Sequence, residues 1–85
     1  MKLQTYTSSF ETFKSTLYKK IKSSTKYYKH TIQPTLFGNF LVLKEHGTTS
    51  SKKASSVEKN YFNYYEEAIS FVKSSMYQER ANGYK

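Results

Sequence analysis

The chain has 85 residues and no cysteine, so it has room for one small domain and none for a disulfide staple or a thiolate metal site. Its formal charge of +8, with nine tyrosines and six phenylalanines, favours polyanions through counterion release and offers aromatic surface for stacking or packing. No stretch is long and apolar enough to cross a bilayer, and Met1 to Thr16 lacks a continuous apolar signal region, so the expectation is a cytoplasmic protein that does not bind membranes.

Met1 to Thr7 alternates Leu3, Thr5 and Thr7 with Lys2, Gln4 and Tyr6, the pattern of an edge strand or of an unordered terminus. Ser8 to Lys22 supports two readings. Phe10, Phe13, Leu17 and Ile21 fall on one helical face, with Ser8 or Ser9 placed before Glu11 as a cap. The Thr/Tyr/Lys setting of Leu17 and Ile21 also tolerates a strand, and periodicity favours a helix for Ser9 to Thr16 at least.

Ser23-Ser24-Thr25 reads as a turn. Lys26 to Gln33 follows as a half-buried strand, with Tyr28, His30 and Ile32 on one face and Tyr27, Lys29 and Thr31 on the other. A short turn, Pro34 to Asn39, leads into the apolar run Phe40 to Leu43, which makes these two strands antiparallel neighbours. Thr48 to Ser56 is an exposed loop carrying Lys52 and Lys53. Val57 to Phe62 is a third strand, with Val57, Lys59 and Tyr61 on one face and Glu58, Asn60 and Phe62 on the other.

Asn63 with Glu66 forms a capping-box pattern, and Tyr65, Ala68, Ile69, Val72 and Met76 mark a helical stripe that belongs to a core. Glu66 and Glu67 sit near the positive end of the helix and Arg80 near its negative end. Asn82-Gly83 supplies the left-handed stop. The fold class expected is α+β, a small antiparallel β-sheet packed by a C-terminal α-helix.

Charge is unevenly spread. Lys14 to His30 holds six lysines (Lys14, Lys19, Lys20, Lys22, Lys26 and Lys29) and no acidic residue, whereas the chain from Asn63 onward is nearly balanced. Such a cluster is either a solvated surface or a polyanion-binding face. Nothing points to catalysis. Neither His30 nor His46 has a carboxylate at a metal-ligand spacing, Glu45 points away from His46 across its strand, and no phosphate loop or nucleophile motif is present. No cofactor and no metal are expected.

The order of these segments (KYYKHTIQP, LFGNFLVLKEHG, a polar basic loop, a Tyr/Phe segment, a helix opening YYEEAISFV and a closing NGYK) resembles a WGR domain, the module of poly(ADP-ribose) polymerases and of many small bacterial proteins. Gln33, Pro34, Leu36, Phe37, Gly38 and Phe40 match the family's Q-P-x-L-F-G-aromatic motif, and Gly83-Tyr84 matches its close. The resemblance covers about Leu17 to Lys85 and implies a first strand over Leu17 to Ile21 in place of a helix there. The expected division is therefore residues 1–16 as an extension with a short helix over Ser9 to Thr16, then residues 17–85 as a single domain with Leu17 to Lys22 as strand. The signature tripeptide is altered: His46 stands at the tryptophan position, Gly47 is kept, and Thr48 replaces the arginine. Serine and lysine stand where the following loop usually has glycine.

The resemblance implies DNA contact near a strand end, a role only Gly47 inherits directly. His46 is then a stacking or hydrogen-bonding substitute, and Lys52 and Lys53 replace the lost arginine charge. The sequence therefore leads to a non-catalytic nucleic-acid-binding module with weak sequence preference, DNA being favoured over RNA. Lys19, Lys20, Lys22, Lys26, Lys29, Lys52 and Lys53 would contact phosphates, with Tyr27 and His46 for stacking. The alternative is an interaction module for an acidic protein partner that has lost the family's DNA contacts. An exposed patch of Tyr27, Tyr61 and Tyr64 would mark it.

Overall fold

The computed structural model describes residues 12–85. The edge-strand pattern of Met1 to Thr7 and the first part of the expected helix lie outside them. Four strands, β1 (Phe13–Ile21), β2 (Ser24–Pro34), β3 (Phe40–Thr48) and β4 (Ser56–Phe62), are followed by one helix, α1 (Tyr65–Ala81). The strands form one antiparallel sheet in chain order, β1-β2-β3-β4. The α+β class expected from the sequence is the one observed. Among the described residues, no helix is long and apolar enough to cross a membrane.

The helix read over Ser9 to Thr16 is corrected where it can be seen, because Phe13–Thr16 belongs to β1. The spacing of Phe13, Leu17 and Ile21 is even as well as fourfold, so it fits one face of a strand as well as one face of a helix. Pairing with β2 decides between them: Phe13 lies opposite Ile32 and Leu17 opposite Tyr28. The first described strand thus begins at Phe13 rather than at Leu17. The strand expected over Leu17 to Lys22 is present and ends at Ile21, with Lys22 turning at φ 56°.

Register assigns every strand residue to a face. One face carries Phe13 and Leu17 of β1, Tyr28, His30 and Ile32 of β2, Phe40, Val42, Lys44 and His46 of β3, and Asn60 and Phe62 of β4. The α1 stripe covers this face: Ala68, Val72 and Met76 pack with Leu17, Ile32 and Val42 into the core, flanked by Phe40, Phe62, Tyr65 and Ile69. Full burial of each large aliphatic here is worth about 1.5–3 kcal/mol. The opposite face, with Lys14, Thr16, Tyr18, Lys20, Tyr27, Lys29, Thr31, Glu45, Lys59 and Tyr61, carries no helix among the described residues.

Tyr64, not Asn63, is the N-cap, and no side chain caps the helix. The helix starts one residue later than expected, so Asn63 falls outside and the Tyr64 carbonyl accepts from Ala68 N–H. Glu66 and Glu67 still occupy the first turn, where they face the positive end of the macrodipole.

The other end is built as expected. Gly83 adopts φ +99°, Tyr84 N–H donates to Glu79 O at 3.0 Å, and Gly83 N–H donates to Arg80 O at 3.0 Å. This is the paired bonding of a Schellman turn. It sends the chain back to the sheet, where Lys85 exchanges both backbone hydrogen bonds with Tyr18 on the outer edge of β1.

Candidate nucleic-acid interface

Antiparallel order brings separate basic segments to one end of the sheet. The β1–β2 turn supplies Lys19, Lys20, Lys22 and Lys26. The β3–β4 loop, carrying Lys52 and Lys53, starts beside it, since Thr49 N–H donates to Thr25 O at 2.9 Å. The end of α1 arrives at the same place: Lys19 Nζ donates to Asn82 O at 2.6 Å. Six of the seven predicted phosphate-contacting lysines are thus gathered there although they span two hairpins. Lys20, Lys22, Lys26, Lys52 and Lys53 are exposed. Lys19 is not free in the same way, because its ammonium is bonded to Asn82 and lies 5.7 Å from the Tyr84 ring centre.

Two concavities flank this end on opposite faces of the sheet. On the open face, a concavity of about 510 Å³ is lined by Lys14, Thr16, Tyr18, Tyr27, Lys29, Glu45, Thr49 and Ser51. Predicted residues Tyr27 and Lys29 fall here, and Lys20 lies one row beyond on the same face. On the helix face, a concavity of about 350 Å³ is lined by Lys26, Tyr28, His46, Gly47, Thr48, Ser55 and Tyr84. Tyr28 organises this second site, 5.1 Å from the His46 ring and 4.9 Å, edge-on, from Tyr84. Tyr27 and His46, both expected to stack, therefore open onto different faces.

Gly47 is buried for a local reason. A Cβ there would lie 2.9 Å from the Ser55 nitrogen, in the backbone of the returning loop, which is fixed by Ser55 N–H donating to His46 O at 2.8 Å. The glycine allows the basic loop to fold tightly against the sheet. Of the aromatic patch that would mark a protein partner, Tyr61 and Tyr64 are 61% and 65% exposed, while Tyr27 is half-buried.

Sequence reasoning missed a polar cluster beneath the helix. Glu79, one of the charges that nearly balance the chain from Asn63 onward, is buried, with Oε2 3.2 Å from His30 Nε2 and 3.8 Å from Lys44 Nζ. The His30–Glu79 approach is close but poorly aligned, and neither side chain makes a hydrogen bond of good geometry. Burial, then the Lys44 ammonium, lower His30 to about 4. Burial pushes the Glu79 carboxyl up, against the opposing pull of Lys44 and Arg80. Neutral His30 and the buried Glu79 carboxyl thus meet under the helix with the Lys44 side chain at the rim.

The signal for this cluster was in the helical stripe, since position 79 follows Val72 and Met76 at helical spacing and His30 already lay on the buried face. Among the described residues, no group of three or more His, Cys, Asp or Glu is placed to hold a metal ion. No protein-family model, no curated protein and no solved structure matches this chain.

Proposed function

We propose that this protein is a non-catalytic, cytoplasmic nucleic-acid-binding module that holds phosphates at the basic end of its sheet. The observation that carries this reading is the convergence of Lys20, Lys22, Lys26, Lys52 and Lys53, all exposed, from two separate hairpins. Lysines spread for solubility alone have no need to meet at one end. Exposed ammonium groups of this kind exchange condensed counterions for phosphates, which gives affinity without base readout. The resemblance to a WGR domain supports the same reading and favours DNA over RNA.

Fluorescence anisotropy with a short labelled DNA, titrated at increasing salt, tests it. Binding at low salt with a log–log slope corresponding to several phosphates is expected. No binding at low salt would remove the reading.

A second reading, an interaction module for an acidic protein, draws on one observation: Val57 and Tyr61 on β4 are 54% and 61% exposed on the open face. Substituting Tyr61 with serine would then weaken partner capture without changing the salt slope for DNA.

A further inference from the structure

We infer that the open face of the sheet is a stacking platform for single-stranded nucleic acid, with Tyr18 and Tyr27 under successive bases and Lys14, Lys20 and Lys29 along the phosphates. The inference rests on the proposed nucleic-acid reading and names the form of the ligand and the face that takes it.

The geometry begins with Tyr18. Its N–H and C=O both bond outward to Lys85, at 2.7 and 2.8 Å. Tyr18 and its partner Tyr27 are therefore a non-hydrogen-bonded antiparallel pair, the type whose side chains stand closest on a sheet face. Tyr18 is 49% exposed, and Tyr27 is continued across β3 by Gly47, which adds no side chain to the row. Two rings thus stand side by side, with Lys85 beyond Tyr18 at the β1 edge and no side chain beyond Tyr27 on β3.

Charge selects the occupant. On the same face Lys20 and Lys29 stand in the two adjoining rows and Lys14 one row further, while Glu45, opposite Lys29, is the one acidic residue among the strand residues there. Lys14, Lys29 and both tyrosines line one concavity, so cation and ring are presented to the same ligand. A duplex buries its base faces within its own stack, whereas a single strand can offer them to tyrosine rings. Stacking ignores base identity, which fits a face where Gln33 is the single Asn, Gln or Arg among the described strand residues.

The experiment compares the full chain's affinity for three probes of equal length: oligothymidylate, the same chain with abasic sites throughout, and a duplex. Oligothymidylate is expected to bind about tenfold or more tighter than the abasic chain, and Tyr18→Leu/Tyr27→Leu to abolish that preference while leaving the salt slope unchanged. Equal wild-type affinity for the oligothymidylate and abasic probes would overturn the platform and leave the basic-end reading standing. Binding to none of the probes would overturn both. Tighter binding of poly-glutamate than of oligothymidylate at equal charge would assign the face to an acidic protein and also overturn the inference. The probe comparison in the wild type needs no variant to fold.

Discussion

His30 Nε2 stands 3.2 Å from the Glu79 carboxylate in a buried site between the middle of the sheet and the last turns of α1. With Lys44 on the rim, the cluster is neutral only while His30 is uncharged and Glu79 ionised. Taking up a proton at His30 places a positive charge where water cannot solvate it, next to the Lys44 ammonium, whereas burial favours the protonated form of Glu79.

That arrangement predicts an acid-sensitive fold. A histidine whose folded pKa lies below its free value contributes stability above the free value and loses it as pH falls. For His30 the window runs from 6.5 down to about 4. At ~1.4 kcal/mol per pH unit the loss is on the order of 3 kcal/mol. Glu79 acts with the opposite sign, because its raised value costs stability as pH rises from 4.5. Urea denaturation across this range should show a flatter pH dependence for His30→Gln and a steeper one for Glu79→Gln. Parallel curves for all three proteins would place the acid sensitivity elsewhere.

Gly47→Ala should destabilise the protein by about 1–3 kcal/mol, the usual cost of forcing atoms into a closed space. The added carbon meets backbone at Ser55 rather than a side chain that can rotate away. Thermal or urea unfolding reads the loss, and an unchanged midpoint would show that the loop yields freely.

Gly83→Ala should cost about 1 kcal/mol, since φ +99° strains any residue with a Cβ. The added carbon would also lie 3.2 Å from Lys19 Cε, whose flexible end can shift. Because the Schellman turn delivers Tyr84 to Tyr28, a shift of Tyr84 resonances should accompany the loss. Stability and spectra equal to wild type would mean the turn tolerates alanine.

Phe37 makes the opposite case. Leu36 and Phe37 are 84% and 93% exposed at the tip of the β2–β3 turn. Phe37→Ser should leave stability within about 0.5 kcal/mol of wild type. A larger loss in unfolding experiments would mean the ring is packed in solution.

The strands and helix were legible because their periods were clean: Tyr28, His30 and Ile32 alternate, and Ala68, Val72 and Met76 repeat at helical spacing. Phe13 to Thr16 was not, because an even fourfold spacing satisfies both periods until a pairing partner is known. Asn63 failed as a cap because local sequence does not say which carbonyl takes the first helical bond. The lysines of the site could be read as a charge cluster, yet their meeting with Lys52 and Lys53 follows from strand order. Tyr18 gained its place beside Tyr27 only through register. Glu79 was hidden by its type: a carboxylate on a core stripe reads as surface until His30 and Lys44 are seen opposite it.

The measurement that bears most directly on the nucleic-acid reading is the salt dependence of DNA affinity for wild type, for Lys52→Ala/Lys53→Ala and for Lys73→Ala on the exposed helix surface. The loop variant should bind more weakly, whatever the sequence of the DNA, with a slope shallower by about 1 per lysine removed. Lys73→Ala should match wild type. Equal slopes for the wild type and the loop variant, or an equal loss from Lys73→Ala, would contradict a phosphate site at the basic end of the sheet.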